Sequence, residues 1–513
     1  MREARVVRSP VVPEQVLFAV LSFEGPDRYA QAGGLGVRVT HLAETLAQRG
    51  FLTHLFFVGD PAAPGVETRL NGRLILHRWC QWISMHHPAG VYDGEEGKLR
   101  DLSASLPPFL IEHIIRPALA AGQVPVILAE EWHTAEALIR LSDLLHRAGV
   151  RQRCVLFWNA NNTMGFHRVD WPRLNFVAQL TTVSRYMKHL MWQMGLNPLV
   201  IPNGIPAGLL QPVDPRQVES LRRALGADHD AVMLFKVGRF DPAKRWLMAV
   251  EASAMLKSRG LKVVFPIRGG IEAHGHEVLA RARALGLHVT DISGNPDAWE
   301  DFIVLLRDAP RADVYNLRFP LAQTFLRPLY AAADAVLATS GHEPFGLVGL
   351  EAMAAGGLVL TGATGEEYTL GGRGAVVLDT DRPEEIVIRL LDLRAQPARA
   401  KLIRQIGRRH AASFTWERVT DLLLDTVSFV AQASGALPSR RGPGSRRVGR
   451  AVSPSRDTPA SQAHPDTVLQ FPIASPLRET TVAELQPTAA GVPVPAEAKP
   501  VVSPRTAGRD PKD

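Results

Sequence analysis

The sequence predicts an α/β protein made of two Rossmann-like units, in which parallel strands alternate with helices. Three observations lead to this prediction. An apolar run at residues 16–22 is typical of a buried strand, and a glycine turn and a helical pattern at 37–49 follow it. The same order restarts at 232–237, after a polar segment. A further strand, turn and helix surround EPFGLVGLEAMAAGG at 343–357.

The first unit places polar residues at the ends of its predicted strands. Strands are predicted at 52–58, 124–130, 155–158 and 180–183 and a helix at 134–148, whereas residues 60–100 look irregular. The strand at 124–130 leads into Glu131-Trp132-His133, and that at 155–158 into an Asn-rich turn containing Asn161. Ligands of open α/β sheets bind at the carboxyl ends of strands. The glycines at 33–36 would let backbone N–H groups approach a phosphate, although a plain tight turn is the alternative.

The second unit offers a candidate phosphate site. Prolines and a glycine mark residues 211–230 as a hinge. The strand at 232–237 then leads into GRFDPAKR, which puts Arg239 and Lys244 around one turn. An arginine fork and a lysine point charge suit a diphosphate, although a solvated basic turn is the alternative.

Two carboxylates stand out in the segment 343–357. Glu343 follows the strand predicted at 333–338, and Glu351 lies in the helix predicted at 347–355. On a continuous helix they would be about 12 Å apart, which exceeds the roughly 5–9.5 Å of paired glycosidase carboxylates. The spacing fits an elongated ligand whose hydroxyls meet one carboxylate at each end. The alternative is a helix-start acid and a solvated glutamate.

Composition indicates an ordinary globular protein followed by a tail. Hydrophobic residues make up 46% of the chain and charged residues 21%. The net charge is +7, but residues 434–513 carry 11 Lys/Arg against 7 Asp/Glu, which gives no case for nucleic-acid binding. These residues also hold 13 of the 38 prolines, so we predict a disordered tail. We expect no integral membrane segment and, with two unpaired cysteines, a cytoplasmic location.

Four motifs, in their order along the chain, resemble those of a known enzyme family. GGLG at Gly33, IPNGI at Ile201, VGRFDPAKRW at Val237 and EPFGLVGLEAM at Glu343 are similar to those of family 4 retaining glycosyltransferases, the GT-B group that includes the glycogen and starch synthases. The likeness covers residues 16–430. Together with the hinge and tail predicted above, it divides the chain into an arm at 1–13, an acceptor domain at 14–210, a hinge at 211–230, a donor domain at 231–412, a crossover helix at 413–433 and the tail at 434–513.

The resemblance implies a retaining transfer of a hexosyl unit, first of all glucosyl, from a nucleotide-diphosphate sugar to a sugar or glucan acceptor. It implies no cofactor and no metal, and it leaves the oligomeric state open. Arg239 and Lys244 would hold the diphosphate, Glu343 the sugar hydroxyls and Glu351 the ribose. The implied donor-binding residues are Gly33, Gly34, Asn203, Gly238, Arg239, Lys244, Glu343, Phe345, Gly346, Leu347, Glu351, Thr364 and Gly365. The implied catalytic residues are Arg239, Lys244, Glu343, Glu131, His133 and Asn161.

The chain departs from the glycogen synthase pattern at four positions, one of which is Glu130 in place of a histidine. Asn161 replaces a histidine of that branch, and Asn cannot carry a proton. Glu131 stands in place of an aspartate, while Gln31 stands in place of a lysine. Asn161 favours one alternative to an active transferase, a catalytically silent glycan- or nucleotide-sugar-binding protein. A GT-B nucleotide-sugar epimerase is a third interpretation, although such enzymes typically lack the spacing of Glu343 and Glu351.

Overall fold

Two mainly parallel β-sheets, each covered by helices, form the frame of the protein. The computed structural model describes residues 11–362, 366–369 and 374–438, and these lie within one unit, Met1–Gly442. Parallel neighbours need crossover connections, and helices supply them here. The predicted pair of Rossmann-like domains is confirmed.

The first sheet has eight strands: β1 Val16–Leu21, β2 Thr53–Val58, β3 Val66–Arg69, β4 Leu74–Trp79, β5 Val124–Glu130, β6 Val155–Ala160, β7 Gln179–Thr182 and β8 Leu199–Val200. Their order is β3-β4-β2-β1-β5-β6-β7-β8, and the β3–β4 pair alone is antiparallel. The central strand β1 is a continuous apolar run, VLFAVL, buried throughout. Such runs are expected where helices cover both faces of a parallel sheet.

The helices of the first domain are α1 Gly34–Gln48, α2 Gln81–Ser84, α3 Glu95–Leu110, α4 Arg116–Ala120, α5 Ala135–Arg147, α6 Trp171–Val177 and α7 Arg185–Trp192. A π-helical turn at Ile111–Ile115 joins α3 to α4. The prediction that residues 60–100 are irregular is wrong, because β3, β4, α2 and the start of α3 lie there. These edge strands were not predicted because they contain polar side chains that break the apolar pattern. Arg78 of β4, for example, is buried because it pairs with Asp27 and Glu67.

The second domain repeats the plan with seven parallel strands: β9 Val232–Val237, β10 Val263–Arg268, β11 Val289–Ile292, β12 Val314–Leu317, β13 Ala335–Ala338, β14 Val359–Thr361 and β15 Val376–Val377. Their order is β11-β12-β10-β9-β13-β14-β15. The remaining helices are α8 Pro215–Ala224, α9 Trp246–Ser258, α10 His274–Ala284, α11 Trp299–Asp308, α12 Gln323–Ala332, α13 Leu347–Ala354, α14 Glu366–Thr369, α15 Pro383–Ala395, α16 Pro397–Ala411 and α17 Trp416–Ala433.

The segment 211–230, predicted to be a polar hinge, contains a whole helix. Asp214 caps α8 by accepting the backbone N–H of Arg216, and α8 packs against α11 and α12 of the second domain. Arg311 donates to the carbonyl of Ala224 at its carboxyl end. The segment is therefore part of the second domain's helical layer, as well as a connection.

The last helix, α17, returns to the first domain, where it packs against α1. Its entry is fixed by backbone pairing between Ile205 and Thr415 and by the Trp416 ring, which leaves no room for a Cβ at Gly204. Two residues assigned to the predicted arm and tail belong to the hydrophobic core that α17 helps to form. Val11 is buried in this core, and Leu437 packs against it. The rest of the predicted arm and tail, 1–10 and 439–513, lies outside the described residues.

Candidate active site

The turn after β9 carries an exposed cation, the side chain of Arg239. Gly238 has a φ of 147°, which residues with side chains rarely adopt, so the chain bends sharply here. The indole N–H of Trp246 donates to the carbonyl of Arg239 at 2.7 Å and fixes the bend. The Arg239 side chain is exposed, and it makes no hydrogen bond or ion pair with the residues that the structure describes. A guanidinium is therefore available for an anion at the carboxyl edge of the second sheet.

Lys244 and Glu343 form an ion pair beside this turn. The Lys244 Nζ lies 2.6 Å from Glu343 Oε1, and the two side chains are 24% and 26% exposed. The backbone N–H of Gly341 donates to the carbonyl of Ala243, so the loops after β9 and β13 are joined. The site thus holds a cation and a carboxylate side by side, both partly open to solvent.

Glu351 lies deeper, on α13. Its Oε2 accepts a hydrogen bond from the buried Tyr330 hydroxyl at 3.1 Å. Burial raises the pKa of the Glu351 carboxyl to about 7, and the Tyr330 hydrogen bond opposes that rise. The carboxylate and the hydroxyl together form a polar pair between α12 and α13.

Between Glu343 and Glu351, the predicted donor-binding residues differ in how far they are buried. Phe345 is 2% exposed, and its ring packs against Tyr368 and Phe414, so the prediction that it binds the donor can hold for its backbone only. Gly346 has a φ of 77° and is the N-cap of α13, which begins at Leu347. Two further predicted donor ligands, Thr364 and Gly365, lie outside the described residues.

In the first domain, an unpredicted carboxylate organises the glycine loop. Glu24 is buried; its Oε2 accepts the N–H groups of Gly33 and Gly36, and its Oε1 accepts the Tyr92 hydroxyl at 2.6 Å. The N–H of Gly33 is therefore not free for a donor, contrary to prediction. Gly34 is exposed, with no acceptor for its N–H among the described residues. An acid just after the first strand was the only sequence signal for Glu24.

A buried ion pair supports the predicted asparagines. Arg38 Nε lies 3.2 and 3.1 Å from the two carboxylate oxygens of Glu130, and its Nη1 donates to Asn203 Oδ1 at 2.7 Å. Asn159 and Asn161 each donate a side-chain N–H to Glu130 Oε2 at 2.8 Å. Asn203 and Asn161 are thus held by a network that sequence reasoning missed. Its partners are too distant in sequence for a local pattern to reveal.

Glu131 has a strained backbone, and only one of its two carboxylate oxygens accepts hydrogen bonds from described residues. Its φ is 67°, unusual for a residue with a side chain. Its Oε1 accepts the backbone N–H groups of Asn161 and Asn162, whereas its buried Oε2 has no partner among the described residues. Burial raises the pKa of this carboxyl to about 8. Strain and an unmatched buried oxygen together are typical of a functional site.

His133 has a similar unmatched atom. Its ring lies between Phe23 and Trp132, and its Nε2 is 2.7 Å from Glu95 Oε1. Burial lowers the pKa of His133 to about 3, so the ring is neutral near pH 7, and the Glu95 contact assigns its proton to Nε2. The buried Nδ1 then carries a lone pair without a described partner, as does Asn161 Oδ1.

The carboxyl edges of the two sheets meet. Ser184, which follows β7, donates its hydroxyl proton to the carbonyl of Pro344, and the Tyr186 hydroxyl lies 3.3 Å from His342 Nδ1. The first domain therefore contacts the loop that carries Glu343. The predicted acceptor and donor residues lie at the two edges joined by these contacts.

A cavity of about 1100 Å³ lies away from this site, at the amino-terminal edge of the second sheet. Its arginines donate to carbonyls at helix ends: Arg404 to Gly356 and Ala333, and Arg222 to Ala332. Those bonds give the arginines a structural role. Across the described residues, no group of three or more His, Cys, Asp or Glu could hold a metal ion, and no described helix is long and apolar enough to cross a membrane.

Comparisons with known proteins agree with this geometry. Residues 231–396 match the family model described as "Glycosyl transferases group 1". Among solved structures, sucrose-phosphate synthase from Thermosynechococcus elongatus aligns with a TM-score of 0.57 at 19% identity, over 82% of this chain and 100% of that one. Anabaena HepE in complex with UDP aligns with a TM-score of 0.56 at 17% identity, over 81% and 100%. The fold is GT-B.

Curated relatives are similar along most of the GT-B chain. A D-inositol 3-phosphate glycosyltransferase of Geodermatophilus obscurus is 27% identical over 440 residues, which cover 80% of this chain and 88% of that protein. The enzyme of the same name from Thermomonospora curvata is 29% identical over 432 residues, covering 79% and 94%. Together the comparisons support a glycosyltransferase. These relatives are not glycogen or starch synthases, so that part of the resemblance stays a prediction.

Proposed function

We propose that the protein is a retaining hexosyltransferase of the family 4 type, which moves a hexosyl unit from a nucleotide-diphosphate sugar to a hydroxyl acceptor. The Lys244–Glu343 pair carries the proposal. In such a donor, a hydroxyl-bearing ring is bonded directly to an anionic diphosphate. A cation and a carboxylate 2.6 Å apart match that junction, with Lys244 on the phosphate side and Glu343 on the sugar side.

The reaction needs charge stabilisation more than an enzymic nucleophile. As the bond between the anomeric carbon and the phosphate oxygen breaks, negative charge builds on the diphosphate, and Arg239 and Lys244 stabilise it. The acceptor oxygen bonds to the anomeric carbon on the same face, and the departing phosphate takes the acceptor's proton. Glu343 orients the sugar through its hydroxyls, and Glu351 binds the ribose.

The acceptor enters along the first domain. Glu131 Oε2, His133 Nδ1 and Asn161 Oδ1 are three buried polar atoms without described partners. His133 Nδ1 and Asn161 Oδ1 can accept a hydroxyl proton, and the Glu131 carboxyl, with its pKa raised to about 8, can donate a proton to a hydroxyl oxygen near pH 7. The nearby acids Glu24 and Glu95 disfavour a phosphate at this wall, because the cation close to it, Arg168, is already paired with Glu96. We therefore propose a sugar, polyol or glucan whose hydroxyls meet these atoms, with any phosphate directed away from them. Glucosyl is the first donor sugar to test.

No cofactor or metal is part of the proposal, because Arg239 and Lys244 can supply the positive charge that a metal would. We also propose a cytoplasmic protein, since Cys80 and Cys154 are free and buried, as suits a reducing compartment. Neither nucleic acid nor an integral membrane segment is invoked.

A silent binding protein is the second candidate, and Asn161 favours it. An asparagine there can hold a hydroxyl but cannot transfer a proton. Such a protein would bind a nucleotide sugar without turning it over.

The test begins with a thermal-shift panel of UDP-, GDP- and ADP-sugars, because donor at 100 times its Kd stabilises the fold by about 2.7 kcal/mol. The donor that binds is then assayed for transfer to myo-inositol 3-phosphate, glucose 6-phosphate, free myo-inositol and glycogen. Transfer with retained anomeric configuration supports the proposal. Binding without transfer or hydrolysis supports the silent protein, and no binding contradicts both.

A further inference from the structure

Lys236 is a buried cation beneath the proposed diphosphate site. It lies on β9, three residues before Arg239, and is 3% exposed. Its Nζ donates to the carbonyl of Leu337 and to the Thr339 hydroxyl, both at 3.0 Å, and sits 5.1 Å from the centre of the Trp246 ring. None of the described carboxylates is within ion-pairing distance of it.

Lys98, the other buried lysine among the described residues, shows what a purely structural role looks like. Lys98 Nζ donates to the Tyr29 hydroxyl and to the carbonyls of Gly90, Val91 and Asp93, at 2.6–3.1 Å. These four oxygens exceed the three protons of an ammonium group. Lys236 has two acceptors, so one proton of its charged form lacks a described acceptor.

The surroundings of Lys236 disfavour its charge until an anion arrives. Burial, followed by the nearby charges of Lys244 and Arg245, lowers the pKa of its amine to about 7, although Glu343 acts in the opposite direction. A diphosphate bound by Arg239 and Lys244 would bring negative charge to the same turn. Coulomb attraction in a partly buried site would then favour the ammonium form.

The two hydrogen bonds of Lys236 reach the other donor loop. Thr339 follows β13 directly and lies four residues before Glu343. Lys236 thus connects the strand that leads to Arg239 with the strand end that leads to Glu343. A change of charge on its amine would therefore alter the interactions of both the loop that carries Arg239 and the loop that carries Glu343.

We infer that Lys236 is a positioning residue of the donor site, which takes up a proton when a nucleoside diphosphate binds and then holds the Thr339–Glu343 loop against the ligand. The proton comes from solvent, adds to the lone pair of the amine, and returns to solvent when the diphosphate leaves. The inference rests on the proposed function, because it needs a diphosphate at Arg239 and Lys244.

The test is calorimetry of UDP binding at pH 8 in two buffers with different ionisation enthalpies, which reports the protons exchanged on binding. With a pKa near 7, about one-tenth of the free protein carries the proton at pH 8, so up to about nine-tenths of a proton per site can be taken up. The UDP phosphates and the Glu351 carboxyl are already mostly ionised at that pH. We expect clear proton uptake by the wild type and little by Lys236→Met.

Two variants make the result specific. Lys236→Arg keeps a permanent charge, so it should bind UDP without proton uptake, and it covers the case in which Lys236→Met does not fold. Lys257→Met removes a lysine of α9 that pairs with Asp313 away from the site, and it should take up protons like the wild type. We also expect Lys236→Met to lower kcat for transfer more than it raises KM, since the loop bearing Glu343 loses its support.

The outcomes separate the two proposals. If the wild type binds UDP without proton uptake, or if Lys236→Arg takes up as much as the wild type, this inference is overturned while the transferase proposal stands. If the wild type binds none of UDP, GDP and ADP, both fall. Uptake lost in both Lys236 variants and kept in Lys257→Met supports the inference.

Discussion

Replacing Lys244 by alanine should separate the role of its ion pair in stability from its role in catalysis. The pair with Glu343 is short, but each side chain is about a quarter exposed. Partly exposed pairs of this kind contribute roughly 0.2–1 kcal/mol to folding. Loss of a preorganised charge stabiliser costs about 10²–10³ in rate, or roughly 2.7–4 kcal/mol. The expected result is therefore a large fall in kcat with a melting temperature close to that of the wild type.

The chain offers a matched control for this variant. Lys262 pairs with Asp228 at 2.7 Å, a distance similar to that of the Lys244 pair, but on the surface at the opposite edge of the second sheet. Lys262→Ala should leave both stability and kcat nearly unchanged. Arg239→Ala should resemble Lys244→Ala, because the two cations share one diphosphate.

Steady-state transfer kinetics and nucleotide calorimetry on the three variants measure these effects. If Lys244→Ala and Arg239→Ala turn over donor within a few-fold of the wild type, the turn after β9 does not stabilise the leaving group. A large loss of melting temperature in Lys244→Ala would instead show that the pair serves the fold.

Three further predictions follow from the structure. Glu351→Ala should raise KM for the donor at least tenfold with kcat little changed, because ribose is remote from the bond that breaks; a fall in kcat alone would contradict this. The buried pair His54–His77 has pKa values lowered by burial to about 4, so the unfolded chain binds more protons between pH 6.5 and pH 4. The free energy of unfolding, measured by urea titration, should therefore fall as the pH drops across that window, by up to about 3 kcal/mol per histidine, and His54→Gln should flatten the profile. EDTA should leave transfer unchanged; loss restored by manganese would contradict the metal-free site.

The sequence was most informative where residues are apolar and consecutive. Strands β5 and β9 were predicted with the bounds that the structure has, because each is a buried run with a glycine or charged residue just beyond it. The edge strands β3 and β4 were missed, since β3 alternates between exposed and half-buried residues. In β4, the side chains of His77 and Arg78 are buried against partners far away in sequence.

The candidate site was predictable in its residue types and only partly in its contacts. The motifs predicted that Lys244 and Glu343 belong to one site, although they are 99 residues apart. They could not show that Glu24 takes the N–H of Gly33, nor that the Phe345 ring is in the core. Each of these outcomes depends on a packing partner from another part of the fold: Tyr92 for Glu24, and Phe414 for Phe345.

The unusual Asn161 fits a mechanism in which the departing phosphate accepts the acceptor's proton. In that case the residue facing the sugar must orient a hydroxyl but need not hold a proton, and an amide oxygen can do so. The Glu130 carboxylate holds the Asn161 amide N–H, so the oxygen is left without a described partner. Arg38 in turn fixes Glu130, and Glu131 holds the backbone of the same turn. Asn161→Asp would put a third carboxylate beside Glu130 and Glu131. It should therefore impair transfer more than Asn161→His, which restores a ring nitrogen that can accept a hydroxyl; equal activity of the two variants would contradict this reading.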